Sequence, residues 1–298
     1  MVSRAFGLSL HFDGAPPGAW EARASRSPGL EVRLSARGEI EERWSGSGTI
    51  GWEATIDGSD FVVERGGGGD YRFRHTASSL CHLSGDGAVL LCALGDEQDP
   101  LSWRVVLDSV LFSVALIEGY EALHAGAIGT AAGALAIAAG SGGGKSTLLA
   151  ELLAGGCSLL ADDIVVLESR DGAAPLAHPG APLMTVPAEI ESPPGTAIGS
   201  VGAETWTAVP TAPEAMPLLG LVVLNRGPGL ATGLRRVEEP LALLMGSLLR
   251  FPRSAERERA RFELAAEIAA EVPVWELRAD LKVTPAALAD LVRARLQR

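Results

Sequence analysis

A chain of 298 residues, 47% apolar and 21% charged, has the material for one large or two modest domains and is too apolar to be disordered. Its formal net charge of −12 excludes a general nucleic-acid surface, which needs a basic field. No apolar run reaches the length of a membrane span, and Met1–Leu10 has no extended apolar region of the signal type, so a cytoplasmic protein is expected.

Residues 1–104 read as a β-rich N-terminal region. Leu30–Leu34 and Tyr71–Arg74 alternate strictly, and Ile50–Ile56 and Phe61–Glu64 are strand-like. Asp57-Gly58 and Gly66–Asp70 are the turns between them, and an antiparallel sheet packed on one face is the economical arrangement. Cys81, Cys92 and Cys157 show no paired metal-ligand spacing. Cys81-His82 has no second pair to answer it, so buried cysteines are expected rather than a zinc site.

From residue 105 the period changes, and residues 105–298 are assigned to one α/β domain. Leu107, Val110, Leu111, Val114 and Ile117 share a helical face. Leu123–Ile128 and Ala134–Ala138 then read as two strands joined by the turn Gly129–Gly133. After Leu167 the chain becomes rich in turn residues (Asp171-Gly172, Pro175, His178-Pro179-Gly180, Pro193-Pro194-Gly195), and a long loop-rich region through about Pro213 is expected to face a substrate. Leu218–Leu224 is a strand, Pro240–Leu249 a helix, and Ser254–Ala270 a helix capped by Ser254. Val272–Leu277 is a strand, and Thr284-Pro285 opens a last helix through Arg295. Arg250, Arg253, Arg257, Arg259 and Arg261 form a basic cluster, read as a solvated helix face paired with Glu256 and Glu258.

The chemistry concentrates between residues 134 and 163. Gly140, Ser141, Gly142, Gly143, Gly144, Lys145, Ser146 and Thr147 follow an apolar strand and open the helix-forming run Thr147–Leu153. Such a loop wraps an anion with its backbone N–H groups at a helix N-terminus. The lysine supplies a point charge for the β/γ-phosphates of ATP, and the serine hydroxyl is a ligand for Mg²⁺. Lys145 and Lys282 are the chain's two lysines, so one of them stands where a phosphate loop needs it. Ala139 occupies the place of the usual first glycine. Seventeen residues past Lys145, Asp162-Asp163 sits between the apolar runs Ser158–Ala161 and Ile164–Leu167. Two adjacent carboxylates there need a cation, and beside a phosphate loop Mg²⁺ suits them. The later strand Leu218–Leu224 ends in Asn225-Arg226 without an acid, which leaves the metal role to the aspartate pair.

This arrangement resembles the catalytic domain of the HPr kinase/phosphorylase family, related in its site to ATP-dependent PEP carboxykinase. The resemblance rests on Leu123-His124-Ala125, on Ser141–Ser146 and on Leu160–Asp163, over roughly residues 105–170. The segment His178–Met184 resembles the branch of HPr-kinase-like proteins found beside peptide-modifying enzymes, including kinases of lasso-peptide pathways. The resemblance implies a P-loop HPr-kinase/PEP-carboxykinase-like core, His124 as a phosphate-proximal histidine, and a homo-oligomer. The leading region does not resemble that of the bifunctional regulators. Their glycine-rich signature with a metal-binding glutamate is absent, and Glu189 lies in the matching region.

The expected activity is an ATP- and Mg²⁺-dependent kinase that phosphorylates a hydroxyl, on a Ser/Thr-bearing peptide or protein or on a small molecule. Gly142–Ser146 and Lys145 are expected to hold the β-phosphate, with Ser146 and Asp163 on Mg²⁺. Asp162 is preferred over Asp163 as the group that takes the hydroxyl proton, although spacing alone leaves the two interchangeable. A nucleotide-binding regulatory protein without transfer activity is the competing class.

Overall fold

In the computed structural model, residues 1–20, 29–44, 46, 48–56, 58–97, 100–170, 172–190 and 192–296 are described. Asp57 and Asp171, each half of an expected turn, lie outside the described residues. The contacts divide the chain into Met1–Tyr120 with Arg250–Arg257, and Glu121–Leu249 with Glu258–Arg298. The sequence-based boundary at 104/105 falls inside the helical run over residues 100–117, which this division keeps in the first unit.

The first unit is built on β1 (Val2–Ala5), β2 (Leu8–Phe12), β3 (Leu30–Leu34), α1 (Arg37–Arg43), β4 (Thr49–Ile56), β5 (Ser59–Arg65), β6 (Tyr71–His75), β7 (Ser79–Leu83) and β8 (Val89–Leu94). The strands form one sheet in the order β1-β2-β3-β8-β7-β6-β5-β4. It is not purely antiparallel as expected: β3 runs parallel to both β2 and β8. A parallel neighbour requires a connection of a dozen or more residues, and the stretch from Phe12 to Leu30 is long enough to allow one. Alternation within a strand does not encode the direction of its neighbour. Ile40 of α1 packs on Leu80, Leu91 and Ala93. Cys81 and Cys92 face each other across β7 and β8, both buried and unbridged. Their mutual hydrogen bond and burial push the Cys92 thiol up. His82 pairs with Asp70 at 3.1 Å. The helical run then continues as α2 (Pro100–Val105), a π-helical turn (Val106–Val110) and α3 (Leu111–Ile117).

The second unit contains β9 (Glu121–His124), β10 (Gly126–Gly129), β11 (Ala134–Ala139), α4 (Lys145–Ala154), β12 (Ser158–Ala161), β13 (Ile164–Arg170), β14 (Ala173–Ala177), β15 (Leu183–Pro187), β16 (Thr196–Val201), β17 (Glu204–Ala208), β18 (Met216–Arg226), β19 (Gly233–Arg236), α5 (Leu241–Ser247), the body of α6 (Ala255–Glu271), β20 (Val274–Ala279) and α7 (Pro285–Leu296). This is a mixed α/β arrangement. Its main sheet runs β12-β10-β11-β18-β14-β13-β9, with β20 also on β18 and β19 on β20. The central strands β11, β18 and β20 are parallel and apolar along most of their length, as strands covered on both faces must be. Alternation sorts their side chains. Ala134, Ala136, Ala138 and Leu221 pack with Leu264, Ala265 and Ile268 of α6. Leu135, Ile137, Val222 and Leu224 pack with Leu148, Leu149 and Leu152 of α4 and Leu288 and Val292 of α7.

Three expectations are corrected here. The run Leu123–Ile128 is two strands, β9 and β10, interrupted at Ala125. Helix α4 packs on this break: a Cβ at Gly126 would collide with the end of the Leu149 side chain, which would have to move to admit it. The region expected to be a long loop holds β14 and a separate antiparallel sheet, β15-β17-β16. Many of its Gly and Pro residues punctuate short strands, while Pro175 lies within β14 and Gly199 within β16. The arginine cluster is not a solvated face throughout: Arg261 is 1% exposed, bonded to Glu121 at 3.1 Å and Glu258 at 2.9 Å. Arg257 donates to the Gly119 and Tyr120 carbonyls. The two expected caps are present, Ser254 Oγ accepting from Arg257 N at 3.2 Å and Thr284 Oγ1 from Ala287 N at 3.3 Å. Among the described residues no helix is long and apolar enough to cross a membrane.

Candidate functional site

Strand β11 delivers the chain to the glycine loop at its C-terminal end, and α4 leaves the loop at Lys145. Gly142 (φ +68°) and Gly144 (φ +91°) lie in the left-handed region, where a side chain is strained. Gly143 N donates to Gly140 O at 2.8 Å, which tightens the turn. A Cβ at Gly140 or Gly142 would meet nothing within 4 Å, so the outer rim of the loop is open. Gly144 is the N-cap residue of α4 and no side chain caps it there. A helix start of this form presents backbone donors and a partial positive charge to an anion.

The aspartate pair is brought to this loop by the way two strand pairs break. β10 pairs with β12 and β9 with β13, so the interruption at Ala125 lies beside the β12–β13 junction at Asp162-Asp163. Ile164 N donates to Asp162 O at 2.6 Å, closing a tight turn with Asp163 at φ +60°. A non-glycine residue in that conformation carries strain that its surroundings must hold. Two contacts do so. Lys145 Nζ lies 2.7 Å from Asp163 Oδ1, and His124 Nε2 lies 3.2 Å from the same oxygen. His124 reaches it because it is the cross-strand partner of Ile164.

Asp162 points the other way, into the protein. Its Oδ2 accepts the Thr185 N–H at 2.8 Å, and its Oδ1 is 3.9 Å from Lys145 Nζ. The small sheet therefore joins the site through β15, a connection that sequence spacing did not reveal. Glu204, the first residue of β17, was also missed; its charge acts on Lys145. Glu189 lies in the turn after β15. His178 is paired with Glu168 at 2.9 Å, and Met184 is buried in the core beneath α4.

The electrostatics follow from this geometry. Burial alone would raise the Asp163 carboxyl, but the His124 hydrogen bond and the Lys145 charge outweigh it and hold the group well below the usual carboxylate range. Burial would lower Lys145, yet Asp162, Asp163 and Glu204 together raise it, so the ammonium stays charged. The Asp163 hydrogen bond raises His124 above its ordinary value, against a smaller lowering from burial.

Whether these residues suit Mg²⁺ is a question of donor chemistry. Among the described residues no three His, Cys, Asp or Glu side chains converge as a protein-only cage. Mg²⁺ does not need one: it is commonly held by one or two carboxylates plus phosphate oxygens and water. An ionised Asp163 beside the loop that carries Ser146, with Asp162 adjoining, fits that pattern.

No known family profile matches the chain, and no curated protein does. Among solved structures, the HPr(Ser) kinase/phosphatase from Coxiella burnetii is similar over 59% of this chain and 97% of its own, at 14% identity and a TM-score of 0.32. So loose a superposition leaves the reading of the site to its own geometry.

Proposed function

We propose that this chain is an ATP- and Mg²⁺-dependent phosphotransferase that phosphorylates a hydroxyl, on a Ser/Thr-bearing peptide or protein. The observation that carries the reading is the 2.7 Å contact between Lys145 and Asp163, which brings the glycine loop and the acid pair into one site. The N–H groups of Gly142–Ser146 and the Lys145 ammonium receive the β-phosphate and neutralise charge in transfer. Ser146 and Asp163 hold Mg²⁺, which supplies charge neutralisation on the phosphate oxygens when bound. Asp163 suits this task because it stays ionised across the neutral range. Binding of the metal and nucleotide requires Lys145 to turn from Asp163 toward phosphate.

Asp162, whose Oδ2 accepts the Thr185 N–H and whose Oδ1 faces Lys145, is assigned to take the acceptor hydroxyl's proton, which requires its carboxylate to turn toward the loop as Lys145 turns to phosphate. His124 borders the Asp163 oxygen that Lys145 contacts and is half exposed, so it positions that carboxylate and, when protonated, adds positive charge beside the phosphates. The HPr(Ser) kinase activity named for the Coxiella protein is of the same reaction class.

Incubation with γ-labelled ATP, Mg²⁺ and cell extract fractionated by size tests this. Label in a peptide or protein fraction supports the reading, and label in a metabolite fraction replaces the acceptor with a small molecule. Label nowhere, despite nucleotide binding, makes the chain a nucleotide-binding regulator. The homo-oligomer and the cytoplasmic location are part of the same proposal, and light scattering checks the first.

A further inference from the structure

Two residues past the last pairing of β18 with β11, Arg226 occupies the strand end where many phosphate-loop proteins carry an acid. It faces the same side of the sheet as Val222 and Leu224, the side on which α4 and α7 pack. Its Nη2 donates to Leu281 O and to Val283 O, both at 2.9 Å, which fixes the guanidinium on the turn that leads into α7. The other end of the group lies against the glycine loop. A Cβ on Gly144 would stand 3.4 Å from Arg226 Nη1 and 3.7 Å from its Cδ, so the arginine lies alongside the loop at contact distance. Nε is buried and takes no partner among the described residues.

Charge makes this placement informative. The guanidinium adds to the Lys145 ammonium and to the positive end of α4, all within the compass of one loop. Asp280 accepts from the backbone N–H groups of Lys282 and Gly229, and its carboxylate also feels the Arg226 charge. In the ligand-free chain Lys145 is held by Asp163, and once it turns to phosphate the ammonium, the guanidinium and the start of α4 together present a cationic rim to an anion. We infer that Arg226 is a positioning residue for the phosphate loop, fixing Gly144 from behind and strengthening the loop's hold on a polyphosphate. The inference rests on the phosphotransferase reading and deepens it, naming the phosphate tail rather than the base or ribose as what Arg226 serves.

Calorimetric titration of magnesium ATP and of magnesium tripolyphosphate into wild type, Arg226→Met and Arg226→Lys tests it. Arg226→Met weakens both ligands by the same factor, roughly tenfold, and the loss shrinks as salt is raised. Arg226→Lys falls between wild type and Arg226→Met, since it keeps the charge but lacks the second guanidinium nitrogen that lies toward Gly144. A purely structural brace would lower the thermal midpoint without a matching, salt-dependent loss for tripolyphosphate. Affinity of Arg226→Met within about twofold of wild type, or a loss for ATP that tripolyphosphate does not share, overturns the inference. If Arg226→Met does not fold, Arg226→Lys decides, and unchanged affinity in that variant overturns it. Wild type that binds neither ligand removes the phosphotransferase reading and this inference together. Wild type that binds while Arg226→Met is unaltered removes this inference alone.

Discussion

Replacing Lys145 with Ala and Asp163 with Ala, singly and together, measures whether the loop and the acid pair are joined in the ligand-free chain. At 2.7 Å, two unit charges in a medium of effective dielectric about 20 attract by about 6 kcal/mol. Lys145 is 11% exposed but Asp163 is 58% exposed, so solvent screening and the cost of burying the ammonium reduce the net coupling to about 1 kcal/mol. Urea unfolding of the four proteins at pH 7 gives that coupling as the departure from additivity. Its pH dependence has a definite sign. Asp163 is lowered on folding, so its share is present above the ordinary carboxylate value of 3.8 and is lost as pH falls through the lower folded value. Lys145 is raised, so its share is full below 10.5 and is lost as pH rises through the higher folded value. The coupling is therefore flat across neutral pH. Additivity within about 0.3 kcal/mol refutes the contact on which the site is built.

His124→Asn destabilises the chain more at pH 5.5 than at pH 9. The folded imidazole is raised by Asp163, so its contribution is complete below 6.5 and disappears as pH rises through the folded value; thermal midpoints at the two pH values check this, and a larger loss at pH 9 contradicts it. Glu121→Gln removes the buried carboxylate from Arg261, which keeps its contact with the exposed Glu258, and costs about 1.5–3 kcal/mol by denaturant unfolding. Gly126→Ala drives a methyl into Leu149 and costs about 1–3 kcal/mol, with α4 displaced. Asp162→Asn keeps nucleotide affinity while lowering transfer by about 10²–10⁴-fold in a label-transfer assay; unchanged transfer removes Asp162 as the proton acceptor.

The site's ingredients were legible because each is local. Gly140–Thr147 needs a strand before it and a helix after it, and both β11 and α4 stand where the apolar run and the helix formers place them. Asp162-Asp163 reads as costly from its apolar flanks alone. What the chain's order conceals is long-range. The Asp162–Thr185 bond depends on a small sheet whose strands are five or six residues long and whose turns are so rich in Gly and Pro that the whole stretch passes for loop. Glu204 acts on Lys145 only because β17 returns to the site, and Arg226 only because β18 lies beside β11. The parallel pairings of β3 are hidden for a related reason: a period of two reports which face is buried and nothing about the neighbour's direction. Arg261 looked solvated amid charged residues, yet its helical position faces Glu121 across the fold.

The most direct test of the central claim is thermal unfolding of wild type and Lys145→Ala with and without magnesium ATP. At a ligand concentration of about 100 times Kd, wild type gains about 2.7 kcal/mol, a rise of roughly 5–10 °C in the midpoint of the unit that holds the site. Lys145→Ala gains little or nothing under the same conditions. A wild-type midpoint that does not move, or an equal rise in both proteins, contradicts a nucleotide phosphate seated between the glycine loop and the paired aspartates.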